Sequence, residues 1–233
     1  MARALDEAEL LAEKRDAAAR AAALVRPGMV VGLGSGSTAR LAVEEIARLV
    51  AEGTLRDVVG VPTSRATADL ARARGLPLAD LERRPVVDLA IDGADEVAPN
   101  GDLLKGAGGA LVREKIVAAA SRRLVIVVDE GKRVDRLGRR HPLPLAVTAF
   151  GWSTHVAAVR DLGGEAVLRR DAAGRPYATD EGLLILDCRF PDGIPDPGAV
   201  AGALRPRPGV VETGLFLGFA PEVIVGRRDG RRL

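Results

Sequence analysis

Apolar and polar positions alternate along the chain with two different periods, and the switches between them mark out the elements. Between residues 6 and 25, Leu10, Leu11, Ala17, Ala21 and Leu24 recur among charged residues at helical spacing, and Pro27-Gly28 closes the run. A short apolar strand follows at 29–33 and a second helix at 37–50, so the chain opens with a helix followed by strand, glycine turn and helix. The same reading gives a strand at 57–61, a helix at 66–74, a short apolar stretch at 76–81, a strand at 86–91, a helix at 110–121 and a strand of leucine and β-branched residues at 123–128. Short apolar strands alternating with helices predict a mostly parallel sheet covered on both faces.

After Asp129 the pattern changes. Residues 131–144 are rich in Arg, Gly and Pro and hold no long periodic element, which places a domain crossing there. Beyond it, strands at 145–150, 166–170 and 183–187 and helices at 154–162 and 197–204 predict an α+β unit with an antiparallel sheet. The apolar, strand-like segment 209–226 is expected to return to the first domain, and its part at 215–225 to line an interface. The fold class is therefore α/β. A Rossmann-like, mostly parallel sheet domain takes residues 1–130 and 206–233, and a smaller α+β (ferredoxin-like) domain takes 131–205.

Composition narrows the function classes. With 34 basic and 32 acidic residues the net charge is only +2, which gives no broad field for nucleic acid, and 3% aromatic residues leave few rings for bases to stack on. No run of about 18 apolar residues is present, and Asp6, Glu7, Glu9 and Glu13 stand where a signal peptide would be basic and then apolar. A cytoplasmic protein without membrane association is expected. The single Cys188 rules out an internal disulfide and reads as a small buried hydrophobe, while His141 and His155 sit in unrelated contexts, so no metal is expected. Only four of the basic residues are lysine, Lys14, Lys105, Lys115 and Lys132. Where arginine supplies the generic positive charge, these four mark positions at which ammonium geometry could matter.

Four segments carry candidate chemistry. Gly32-Leu-Gly-Ser-Gly-Ser-Thr38 follows a strand and opens a helix, a place where backbone N–H groups and hydroxyls can cradle a phosphate, though such turns also serve close packing alone. Its glycines are not spaced as in a dinucleotide fingerprint, and no Gly-Lys-Ser/Thr triplet exists for a nucleoside triphosphate loop. Asp92-Gly-Ala-Asp95-Glu96 puts carboxylates at the carboxyl edge of the sheet, or forms a solvated turn. Lys105-Gly-Ala-Gly-Gly109 sets a cation beside a flexible turn leading into the helix that bears Glu114, which reads either as a functional carboxylate or as a solvated partner of Arg113 or Lys115. Lys132 ends Asp129-Glu-Gly-Lys132, again where a parallel strand meets the ligand edge.

Taken with Pro62-Thr-Ser64, Arg113-Glu-Lys115 and Gly-Val-Val-Glu-Thr-Gly-Leu-Phe at 209–216, these motifs, in this order, resemble the type A ribose-5-phosphate isomerase family over nearly the whole chain. The resemblance implies a cofactor-free aldose–ketose isomerase of the non-oxidative pentose phosphate pathway, a homodimer or homotetramer whose only other partner is a small-molecule pentose 5-phosphate. It implies that Ser35, Gly36, Ser37 and Thr38 hold the phosphate, approached also by Lys14, and that Asp92, Gly93, Ala94, Asp95, Lys105, Gly106, Ala107 and Gly108 line the sugar. Lys132 would bind substrate and Glu114 would accept the proton. An enediolate would then be held by Lys105 and the amides at 106–108, with Asp92 and Asp95 opening the furanose ring. Ala107 stands where family members often carry Gly, which matters only if that position needs a positive φ.

Two other readings stay open at this point. An amino-sugar-phosphate deaminase would share the phosphate cradle but would need a histidine near the ring, and both histidines lie outside the motifs. A non-catalytic sugar-phosphate sensor would need a partner domain.

Overall fold

The computed structural model describes residues 6–227; the outermost parts of the first domain as read from sequence, 1–5 and 228–233, lie outside the described residues. In chain order the elements are α1 (Glu7–Ala22), β1 (Val30–Leu33), α2 (Ser37–Ala51), β2 (Val59–Pro62), α3 (Arg65–Ala73), β3 (Leu89–Asp92), β4 (Glu96–Val97), β5 (Leu103–Leu104), α4 (Leu111–Ala119) and β6 (Leu124–Val128). A 3₁₀ turn at Glu130–Lys132 precedes β7 (Leu143–Val147), α5 (Thr154–Asp161), β8 (Glu165–Leu168), β9 (Leu184–Arg189), α6 (Pro197–Leu204), β10 (Val210–Thr213), β11 (Leu215–Phe216) and β12 (Glu222–Val225). Two compact units result, one holding the chain up to Gly93, Ile116–Lys132 and the chain from Pro221, the other Ala94–Lys115 and Arg133–Ala220.

The first unit is built on a five-stranded sheet of order β12-β6-β3-β1-β2, parallel throughout. Its β6, Leu-Val-Ile-Val-Val, between β12 and β3, is buried at every residue, as a parallel strand covered on both faces must be. Val125 and Val127 join Leu33, Ile46, Leu89 and Ala17 in a core under α1 and α2. On the other face, Val117 of α4 packs closely over Gly32. Asp6 starts α1 with a reciprocal capping box, its carboxylate accepting from the Glu9 amide at 2.8 Å while Glu9 accepts from the Asp6 amide at 3.1 Å.

The second unit follows the order β7-α5-β8-β9-α6-β10 and forms an antiparallel sheet β10-β7-β9-β8. That strand order is the ferredoxin-like arrangement expected from the sequence. Alternate residues of β7 and β9 (Leu143, Leu145, Leu186 and Cys188) meet Val159 of α5 and Leu204 of α6. A second, three-stranded antiparallel sheet, β11-β5-β4, belongs to the same unit.

Two sequence expectations differ from what forms. Residues 94–115 and 206–220, read as part of the sheet domain, fall in the second unit, and of the segment 209–226 only β12 joins the parallel sheet. The stretch 76–81, read from the sequence only as apolar, contributes a single bridge between Gly60 and Leu78. Leu215, Phe216 and Ile224, expected at an interface, are buried within the chain itself. No helix among the described residues is long and apolar enough to cross a membrane.

Candidate active site

Because the five strands of the first unit run parallel, everything that follows β1, β2, β3 and β6 emerges at one edge of the sheet. The chain passes from β1 to β2 on one side and to β3 on the other, so the crevice beyond the ends of β1 and β3 is the switch point where open parallel sheets bind ligands. There Asp92, buried at the end of β3, accepts the Gly93 amide at 2.7 Å and the Ser35 amide at 3.1 Å through one carboxylate oxygen. Gly34 is required for this approach, since a Cβ at that position would lie 2.2 Å from the Asp92 carboxylate.

The turn after β1 is braced from β2. Ser35 Oγ lies 2.9 Å from Thr63 Oγ1, 2.8 Å from Ser64 Oγ and 3.2 Å from Thr67 Oγ1. Thr63 and Thr67 are tied in turn to the carbonyls of Leu33 and Gly34, at 3.0 and 3.1 Å. Gly36, with φ of +99°, is the N-cap of α2 and has no side chain to occupy its first amides, and the first turn carries no acidic residue. Gly36 and Ser37 are exposed and Thr38 is buried behind them. A fifteen-residue helix thus presents its N-terminus at the switch point, the arrangement that favours a phosphate. Beyond β6, the turn bearing Lys132 is linked to α1 through buried Glu13, which accepts the Glu130 amide at 3.3 Å, and Lys14 is the next residue of that helix turn.

In the second unit the small sheet sets Asp95 beside Lys105. β4 pairs Glu96 with Leu104, and the bonds Asp95 N to Leu104 O and Lys105 N to Gly214 O, each 2.9 Å, extend the ladder on both sides. Lys105 Nζ lies 3.4 Å from Glu114 Oε1 of α4, with the two residues only 3% and 6% exposed. Glu114 is therefore not the solvated partner of its neighbours. Arg113 pairs instead with Glu181, and Lys115 with Glu212 at 2.9 Å and with the carbonyls of Thr213 and Leu215, both at 2.7 Å. Burial pushes the Lys115 ammonium below its usual pKa, against the opposing pull of Glu212. Buried Phe216 lies under both lysines, its ring 5.5 Å from Lys105 Nζ and 4.7 Å from Lys115 Nζ.

The loop at 105–109 places its left-handed residues at Gly106, φ +107°, and Gly109, φ +82°, whereas Ala107 is not among the residues with positive φ, so its side chain is no obstacle. The Ala107 amide donates to Asp95 Oδ2 at 2.8 Å. Glu96, read from sequence with the carboxylates of the ligand edge, is instead fully buried and accepts the amides of Gly138, Arg140 and His141 at 2.6, 2.6 and 2.7 Å. It fastens the segment before β7. Among the described residues no three His, Cys, Asp or Glu side chains group as a metal site.

The model of the family ribose 5-phosphate isomerase A (phosphoriboisomerase A) matches residues 59–230 of this chain. Ribose-5-phosphate isomerase A of Roseiflexus castenholzii is 52% identical over 217 residues, which cover 93% of this chain and 92% of that protein. The chain belongs to the ribose 5-phosphate isomerase A family. A solved D-ribose-5-phosphate isomerase in complex with phospho-erythronic acid superposes with a TM-score of 0.91 at 37% identity, covering 95% of this chain and 96% of the other. The ribose 5-phosphate isomerase from Plasmodium falciparum gives 0.89 at 35% identity over 94% and 95% of the two chains.

Several residues around the motifs of this ribose 5-phosphate isomerase A family member were not marked as site residues by the sequence reading. Thr67, one helical turn after Pro62-Thr-Ser64, completes the hydroxyl cluster around Ser35. Its signal was the position of that triplet at the end of a parallel strand, on the same edge as the cradle. Glu13 and Arg169 gave no signal, since nothing local separates a buried carboxylate or a bridging guanidinium from its solvated neighbours.

Proposed function

We infer that the chain interconverts D-ribose 5-phosphate and D-ribulose 5-phosphate, the reaction of the family it belongs to, and that Glu114 carries the proton. The observation behind the second part is the buried Lys105–Glu114 pair, 3.4 Å apart. A carboxylate kept from water in the first turn of a helix, with an ammonium beside it, is poised for proton transfer next to developing negative charge.

The reaction removes the proton from C2 of the open-chain aldose, α to the C1 carbonyl, and leaves an enediolate. Delivering a proton from the same carboxylate to C1, while the hydroxyl proton passes from O2 to O1, gives the ketose, so one carboxylate serves both carbons. Lys105 and the amides of the loop at 106–108 are assigned to the enediolate oxygens. Such donors are each worth about 3 kcal/mol in comparable sites. The α2 N-terminus at Gly36, Ser37 and Thr38, with Lys132 and Lys14, is assigned to the phosphate, and Ser35 to bracing that turn. Asp92 and Asp95 are assigned to ring opening. The phospho-erythronic acid held by a solved relative has a phosphate and a carboxylate, in keeping with a ligand of this charge distribution. A homodimer or homotetramer in the cytoplasm is proposed with this activity, on the family resemblance.

Turnover of ribose 5-phosphate in deuterated water tests the chemistry. Proton transfer through an enediolate places solvent deuterium on C1 or C2, whereas a hydride shift leaves both carbons unlabelled. Glu114→Gln, folded to the same melting temperature, should lose about 10²- to 10⁴-fold in kcat. Activity within threefold of the parent would remove Glu114 from the role.

A further inference from the structure

The 105–109 loop is gripped by the side of the second unit's four-stranded sheet. Arg169, the residue after β8, forms a two-pronged pair with Asp187 of β9, Nε to Oδ2 at 2.9 Å and Nη2 to Oδ1 at 2.5 Å. Its remaining nitrogen, Nη1, donates to the carbonyls of Gly106 at 3.0 Å and Ala107 at 2.9 Å. Tyr177, whose ring lies 5.7 Å from the Arg169 guanidinium, donates its hydroxyl to the Gly108 carbonyl at 3.2 Å. Three successive carbonyls of the loop are thus held by two side chains that touch each other.

A carbonyl and the N–H of the next residue point in opposite directions across a planar trans peptide. Drawing the carbonyls of Gly106 and Ala107 toward Nη1 therefore turns the amides of Ala107 and Gly108 away from Arg169. The first of these amides meets Asp95 Oδ2 at 2.8 Å. A fork is needed for this task, because one edge of the guanidinium must hold Asp187 while the other holds two carbonyls, and a lysine ammonium presents no such planar geometry.

We propose that Arg169, anchored by Asp187, is a positioning residue for the isomerisation: it sets the direction of the Ala107 and Gly108 amides and, through the first, the place of the Asp95 carboxylate. This rests on the functional reading above, in which those amides and Asp95 act on the sugar. Arg169 lies outside every motif that marks the family in this sequence, and its part in catalysis would be indirect.

The test compares Arg169→Met, Arg169→Lys and the double variant Arg169→Met/Asp187→Leu with the parent. Displacing a catalytic group by about 1 Å can cost on the order of 10²-fold. The expected result is a 10- to 100-fold fall in kcat in all three, with KM for ribose 5-phosphate within threefold, since the phosphate grip is untouched. The double variant removes both charges together and is expected to keep the parent's melting temperature while staying slow. A folded double variant with kcat within threefold of the parent overturns the proposal, and so does full recovery in Arg169→Lys, which would make charge alone sufficient. Amide hydrogen exchange of the 105–109 segment reads the tether without any turnover. It should quicken at least tenfold in Arg169→Met, and unchanged exchange overturns the tether even if the parent fails to isomerise ribose 5-phosphate, a failure that would count against the functional reading alone.

Discussion

Lys105 Nζ and Glu114 Oε1 face each other at 3.4 Å in a setting where both residues are almost wholly withdrawn from water. Each is the compensation for the other's burial. Removing one partner of such a pair costs about 3–5 kcal/mol, because a charge is left in a poor solvent, whereas replacing both by apolar groups of similar volume is close to neutral. Lys105→Met should therefore lower the melting temperature by roughly 10 °C, and Lys105→Met/Glu114→Leu should regain most of that loss. Activity should not follow stability, and the recovered double variant should stay inactive. Melting curves and kcat on the same preparations check both halves, and a double variant that regains turnover would contradict the assigned chemistry.

Gly34 gives a steric test of the cradle. A methyl group there would sit 2.2 Å from Asp92 Oδ1 and 2.5 Å from its Cα, so β1 and β3 would have to part at the ligand edge. Gly34→Ala is expected to cost about 1–3 kcal/mol, typical of overpacking, and to weaken inhibition by inorganic phosphate at least tenfold. Gly202→Ala, in α6 with no atom near the added methyl, is the matched control and should be stabilising by about 0.5–1 kcal/mol. Equal phosphate inhibition in the two variants would separate Gly34 from anion binding.

His155 sets an acid limit on stability. It is 2% exposed, and burial, with the Arg207 guanidinium 3.5 Å from Nδ1, holds its pKa below the usual 6.5. In the folded chain the ring stays neutral where the unfolded chain already binds a proton, so its contribution is complete above pH 6.5 and declines as pH falls toward the folded value. The decline can reach about 1.4 kcal/mol per pH unit for one group. Urea midpoints at pH 7.5, 6.5 and 5.5 should fall more steeply for the parent than for His155→Gln. Parallel curves would show that another group sets the acid limb.

The parallel sheet was legible because its strands announce themselves. A segment such as Leu-Val-Ile-Val-Val, apolar at every position, has few homes other than a strand covered on both faces. The small sheet was not legible. Glu96-Val97 and Leu103-Leu104 are too short to show any period, and their third strand, Leu215–Phe216, comes from far along the chain. That omission moved residues 94–115 into the wrong expected unit, since it is this sheet that draws them there. Pro144 had a similar effect in reverse, reading as the end of a loop when it lies within β7 opposite Asp187.

For the site, abundance of arginine was a misleading guide. Lys105 lies against Glu114, as the turn leading from one into the helix of the other suggested, but treating arginine as generic charge concealed Arg169, whose hydrogen bonds depend on a strand pairing no local pattern reveals. Glu96 shows the same limit for carboxylates. It stands in the same Asp-Gly-Ala-Asp-Glu run as Asp92 and Asp95, and no local pattern shows that it fastens the segment before β7 through three amides.

The pairing of β12 with β6 has a consequence for how the protein is made. During synthesis, β6 leaves the ribosome nearly a hundred residues before the strand that shields its flank, and most of the intervening sequence, Arg133–Ala220, belongs to the other unit. That unit can therefore close first, while a five-residue apolar strand waits with one row of peptide groups open. Conditions that slow or interrupt translation between these two strands will expose the nascent chain to its greatest danger of aggregation.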